Sequence, residues 1–286
     1  MRSSNPVFSR RGFSRDNGYA GFNAAPQAGG PAANPYAGGN PYAQPADPYA
    51  QPTNPYAQGA PPVAPPQTDR MTMDDVVMRT GMTLGTVVIG AVFGWIALSD
   101  NLGLAVGAGL IAMVLGLVQA FKRKASPPLI LAYAAFEGLF LGGLSGAINA
   151  QLEGAPMQAV LGTLAVFAGV LIAYRTRLIR VNRRFYRYVM AAAIGFVLLT
   201  AVNLLFMAFG GGDGLGFRSG GLGILFGVVG VILGACFLAL DFKQVEDGVA
   251  YGAPREESWL AAFGLTLTLV WIYLELLRLI SILRGD

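Results

Sequence analysis

Residues 221–241 read GLGILFGVVGVILGACFLALD. Twenty apolar or glycine residues in a row precede one charge, Asp241. As an α-helix at ~1.5 Å per residue, this run is about 30 Å long, the thickness of a bilayer's hydrocarbon core. A spanning strand would need only ~10 residues and would alternate in polarity, which this run does not. Working outward, six more such runs lie at 80–98, 102–120, 129–149, 157–173, 188–209 and 259–283. The spacing predicts an all-α, polytopic membrane protein with seven transmembrane helices. Ser99–Asp100–Asn101 is a very short turn between the first two runs, so six spans plus a re-entrant segment is the alternative count.

Composition agrees. Of 286 residues, 54% are hydrophobic and 13% are charged, against ~25% charged in a soluble domain. With one Cys, a disulfide framework is excluded. With no His, Ser-His-Asp hydrolases and HExxH zinc proteases are excluded too. An aspartyl intramembrane protease would need two Asp within spans, and the runs offer at most one. The expectation is a non-enzymatic protein without a cofactor.

Residues 1–70 contrast with the body at 71–286. They hold most of the 17 Pro and a degenerate repeat, NPYA at 34–37, 40–43 and 54–57 with DPYA at 47–50. Such a segment buries too little apolar surface to offset its ordering entropy. It reads as a disordered tail, and no apolar stretch follows Arg2, Arg10, Arg11 and Arg15 to make a signal peptide. Tyr36, Tyr42, Tyr49 and Tyr56 recur regularly enough to serve a protein partner, although a solvated tether is the simpler reading.

Basic residues set the orientation. Lys122, Arg123 and Lys124 follow the second run. Arg175, Arg177, Arg180, Arg183, Arg184 and Arg187 follow the fourth, and Lys243 and Arg255 follow the sixth. These eleven share one side, whereas the opposite loops hold only Arg218. The crowded side is expected to be cytoplasmic, with the tail on it and the C-terminus outside, in a plasma membrane. The net charge of +4 is thereby explained without nucleic acid. The six-Arg loop leaves anionic lipid open as a second role.

Glycines at four-residue spacing, such as Gly81/Gly85, Gly90/Gly94, Gly103/Gly107, Gly142/Gly146 and Gly230/Gly234, are expected to let helices pack closely. Three acids carry the functional reading. Glu137 lies in LAYAAFEGLFLGGLSG (131–146), Asp241 closes the sixth run, and Glu275 lies in VWIYLELLRLISIL (270–283). A charge at mid-bilayer costs at least ~2.5–3.5 kcal/mol and marks an ion or proton pathway more often than packing. Arg278 is a salt-bridge partner for Glu275 at i,i+3. Gln119 and Asn203 are weaker polar candidates. Without His, a buried acid pair sharing a proton is the natural pH switch. Its hard oxygens suit a proton or transient Ca²⁺ at Asp241 and Glu275 better than Zn²⁺.

The FEG sequence at 136–138, the Asp closing helix six before a polar hairpin, and IYLELLRLISIL at 272–283 resemble the Bax inhibitor-1 family. The polar tail before this body is similar to its actinobacterial branch. The resemblance covers about residues 75–284. It implies two layers of three helices around a central seventh. It also implies a pH-sensitive calcium leak whose sensor is an acid pair on helices six and seven. By position these are Asp241 and Glu275, and Glu137 matches the acid of the EG motif. Glu275 stands where the family usually has Asp. If helix seven starts near Ser258, Glu275 lies ~25 Å along it while Asp241 ends its own span. The pair then meets only if helix seven starts late or helix six runs deeper. A non-conducting modulator of a membrane protease or stress pathway is the competing expectation, with the tail as its binding arm.

Overall fold

The structure is a computed structural model that describes residues 70–122, 124–210 and 219–285. The tail expected over 1–70, its tyrosine repeat, Arg123 and Arg218 lie outside the described residues, Arg70 excepted. Among the described residues there are seven helices: α1 (Met73–Leu98), α2 (Leu102–Phe121), α3 (Pro127–Gln151), α4 (Ala155–Arg175), α5 (Arg183–Gly210), α6 (Gly220–Ala250) and α7 (Glu257–Gly285). Each is long and apolar enough to cross a bilayer. Seven spans are therefore present, and the first two apolar runs are separate helices.

Local chemistry explains the boundaries. Thr72 and Asp75 form a capping box at the start of α1: the Asp75 amide donates to Thr72 Oγ1 at 3.1 Å, and the Thr72 amide donates to Asp75 Oδ2 at 3.3 Å. Asn101 turns the chain tightly into α2, its side chain accepting from the Leu104 amide at 3.4 Å. Prolines open α3 and α4, where a missing N–H costs nothing. Gly154 enters α4 at φ +79°, a left-handed conformation that favours glycine, and its amide donates to Asn149 Oδ1 at 2.8 Å.

The helices fall into two groups. In one, α3 packs on α1 and α2; in the other, α6 packs on α4 and α5. Between them lies α7, touching α1, α3, α4 and α6. Two-thirds of its span is buried (67%), against 17–22% for α1, α2, α4 and α5, which identifies it as the central helix. The outer helices present apolar faces, such as Val88, Phe93, Leu110 and Leu198, as lipid requires. Phe263, Leu260 and Ile272 of α7 anchor the main core.

Two expectations need correction. Helix α6 does not end at Asp241. It runs nine residues further, because Lys243, Glu246 and Asp247 face one another on an extra turn and pair there. Glycine spacing also overstates packing. A Cβ on Gly138 or Gly142 would collide with the backbone of α1 at Val87 and Ala91, and one on Gly90 would lie 2.6 Å from the Ala135 carbonyl. These glycines are where α1 and α3 close up. Gly81, Gly85 and Gly107 meet nothing within 4 Å, so they do not serve a close contact.

Candidate functional site

Helix α7 carries two threonines at mid-length that point to different neighbours. Thr266 shares a hydrogen bond with Thr83 of α1 at 2.9 Å and donates back to the Ala262 carbonyl at 2.8 Å. Thr268 donates to Asp241 Oδ2 of α6 at 2.6 Å. Asp241 is 1% exposed, and this hydroxyl supplies a polar partner inside an apolar wall.

Glu137 is buried on the face of α3 that also carries Tyr133, Ala134 and Leu141. Tyr133 meets Phe263 edge-on at 5.1 Å, and Ser145 shares a hydrogen bond with Tyr273 at 2.6 Å. Helices α3 and α7 thus run parallel, and interpolation sets Glu137 at about the level of Thr266. No hydrogen bond or ion pair joins Glu137 to a described residue. Glu137 and Asp241 therefore lie at similar depth, on the two helix groups that flank α7.

Glu275 lies elsewhere. A Cβ on Gly230 would lie 2.9 Å from Glu275 Oε2, and Trp271 Nε1 donates to the Gly230 carbonyl at 3.3 Å. Glu275 is therefore level with Gly230, eleven residues before Asp241 on α6. On α7 it is seven residues beyond Thr268, about 10 Å at ~1.5 Å per residue. The structure does not bring Asp241 and Glu275 together. Helix α6 does run deeper than the apolar run suggests, but the antiparallel register with α7 keeps the acids at different heights. The expected partner of Glu275 is present: Arg278 pairs with it and also sits over the Phe226 ring at 5.9 Å. The amide of Asn203, the weaker candidate, reaches the Met207 sulfur on its own helix, and Gln119 is buried on α2.

One feature of the bundle was not expected from the sequence. At the end shared by the α6–α7 turn and the start of α1, Arg255 pairs with Asp75 at 2.8 Å. Arg79 donates to the Arg255 carbonyl and to Ser258 Oγ, and lies over the Trp259 ring at 5.3 Å. The Met71 amide donates to the Ala253 carbonyl at 2.7 Å. Read from the sequence, Arg255 was a topogenic charge. The only hint was the TMDD segment at 72–75, a helix start that placed acids before the first apolar run.

Among the described residues, no three His, Cys, Asp or Glu side chains gather closely enough to hold a metal ion. The carboxylates instead sit at two levels around α7, Glu137 and Asp241 at one and Glu275 at the other. No curated protein matches the sequence. A family model described as Bax inhibitor 1 like matches residues 5–285, so it reaches into the N-terminal arm that the resemblance had left out. That match, over nearly the whole of a chain whose seventh helix is the core of a seven-helix body, makes the protein a member of the Bax inhibitor 1 like family.

Proposed function

We propose that the protein is a pH-sensitive cation leak, with Ca²⁺ as the transported ion, whose pathway follows the carboxylates around α7. The observation that carries this reading is the burial of Glu137, Asp241 and Glu275 beside the central helix of a membrane bundle. Carboxylates in such a place are costly and call for a use. They are spread over two levels rather than clustered, Glu137 and Asp241 at one and Glu275 at the other, so a cation would meet carboxylates twice along α7, which favours passage over tight binding. Asp241 is the proposed sensor. Its partner Thr268 has a hydroxyl that donates to a carboxylate and can accept from a carboxylic acid, so both protonation states can be satisfied by one rotation. The proposed placement is the plasma membrane, with the N-terminus cytoplasmic and the C-terminus outside, because basic residues concentrate on the N-terminal side. No enzymatic step, resident metal or cofactor is part of this reading.

The test is Ca²⁺ flux into liposomes holding the full chain, between about pH 5 and pH 8, where a perturbed carboxylate can titrate. Asp241→Asn is run alongside. The expected result is a pH-dependent flux whose profile flattens in the variant. Flux no greater than in empty liposomes would sink the leak.

A second reading has its own support. Met71, just before α1, and Asp75 and Arg79 in its first turns are fastened to the α6–α7 turn. A partner pulling on the arm would act on α7 directly, as a non-conducting modulator requires. Deleting residues 1–65 separates the two: a leak should survive, and an adaptor's effect on its partner should vanish.

A further inference from the structure

Six guanidinium groups crowd one short connection. Arg175 closes α4, Arg177 and Arg180 lie in the seven-residue turn, and Arg183, Arg184 and Arg187 open α5. All six are exposed, and among the described residues none makes an ion pair or a side-chain hydrogen bond. Three acids at this end of the bundle are engaged elsewhere. Asp75 takes Arg255, while Glu246 and Asp247 take Lys243, and Glu246 also accepts from the Tyr174 hydroxyl.

The turn is built, not slack. Leu178 and Ile179 amides both donate to the Ala173 carbonyl, at 2.9 and 3.2 Å, and Arg177 holds a left-handed φ of +58°. Ile179 and Val181 pack into the core, and Asn182 Oδ1 accepts from the Phe185 amide at 2.8 Å. The arginines are thus displayed from a fixed backbone. Six like charges repel, and an anion between them relieves that repulsion. The exposed large hydrophobic side chains here are Leu178 (81%) and Tyr188 (74%), residues suited to the boundary between headgroups and acyl chains.

We propose that this turn binds the phosphates of anionic phospholipids in the adjoining leaflet. Arginine forks match phosphate oxygens two at a time. A turn of seven residues between two spanning helices cannot carry its side chains far from the headgroup layer. Its occupant is therefore the lipid already there, not a nucleic acid that would need a projecting surface. Topogenic charge alone would ask only for positive residues, Lys as readily as Arg. All six here are Arg.

The test needs no flux. The detergent-solubilised full chain is titrated with phosphatidylglycerol or phosphatidylcholine, and bound lipids are counted by native mass spectrometry. The wild type should retain phosphatidylglycerol several-fold more. The triple variant Arg177→Gln/Arg180→Gln/Arg184→Gln should bring the ratio near one. Arg177→Lys/Arg180→Lys/Arg184→Lys keeps the charge, and hence insertion, and should lower the ratio at least about twofold, because an ammonium offers a point charge only. An equal ratio in the wild type, or an unchanged ratio in the Lys variant, would overturn the proposal. So would displacement of the lipid by inorganic phosphate or by a short RNA at matched concentration.

Discussion

Asp241, Glu137 and Glu275 stood out in the sequence because a charge inside an apolar run is conspicuous. Their partners did not. Thr268 and Thr83 are hydroxyls in apolar helices, where such residues are common, and each makes its bond to a different helix rather than to a near neighbour in the chain. Thr268→Val leaves the buried Asp241 carboxyl without its donor. The expected loss is about 1–3 kcal/mol of stability, read as a lower Tm of the detergent-solubilised protein, with Thr268→Ser close to wild type. Arg278 was legible because it shares a helix with Glu275 at i,i+3. Removing one member strands the other, so Arg278→Gln should cost about 3–5 kcal/mol, whereas the double variant Arg278→Gln/Glu275→Gln should recover much of it. A double-mutant cycle on thermal unfolding measures this; additive losses would mean that the pair contributes nothing.

At the scale of the element, the apolar runs located every helix and misjudged several ends. The run closing at Asp241 is a membrane signal, but a helix continues wherever its backbone and side chains remain satisfied. Lys243 with Asp247 at 2.9 Å carries α6 onward to Ala250. Likewise α1 begins with the polar Thr72–Asp75 box ahead of its first apolar turn. Glycine spacing was equally ambiguous. It marks helices able to approach closely and cannot say which face a neighbour occupies. Gly142→Ala should destabilise by about 1–3 kcal/mol, because the new methyl meets the Ala91 carbonyl of α1. Gly81→Ala fills open space and should be neutral or stabilising by up to ~1 kcal/mol through helix propensity. Comparing the two Tm values checks the assignment, and equal shifts would refute it.

Across the whole molecule, α7 connects both helix groups, and its first turn is tied to the start of α1. Asp75 is buried while Arg255 is half-exposed, so this ion pair should contribute only about 1 kcal/mol and weaken with salt. Asp75→Asn should nonetheless raise the rate of proteolysis in the α6–α7 turn, measured on the reconstituted full chain. An unchanged cleavage rate would show that the turn is held by packing alone. The sequence by itself determined the seven apolar runs, the crowding of basic residues on one face and the acids within the runs, while the structure made the first two runs separate helices. Hydrocarbon thickness dictates helix length, and the cost of burying charge makes exceptions visible. Only the tertiary structure decided that Asp241 faces Thr268, that Glu137 stands at similar depth across α7, and that Glu275 lies about 10 Å further along. Register between helices is set by side chains meeting across the bundle, such as Tyr133 on Phe263 and Trp271 on Gly230. Such contacts join residues more than forty positions apart, and no local pattern encodes them.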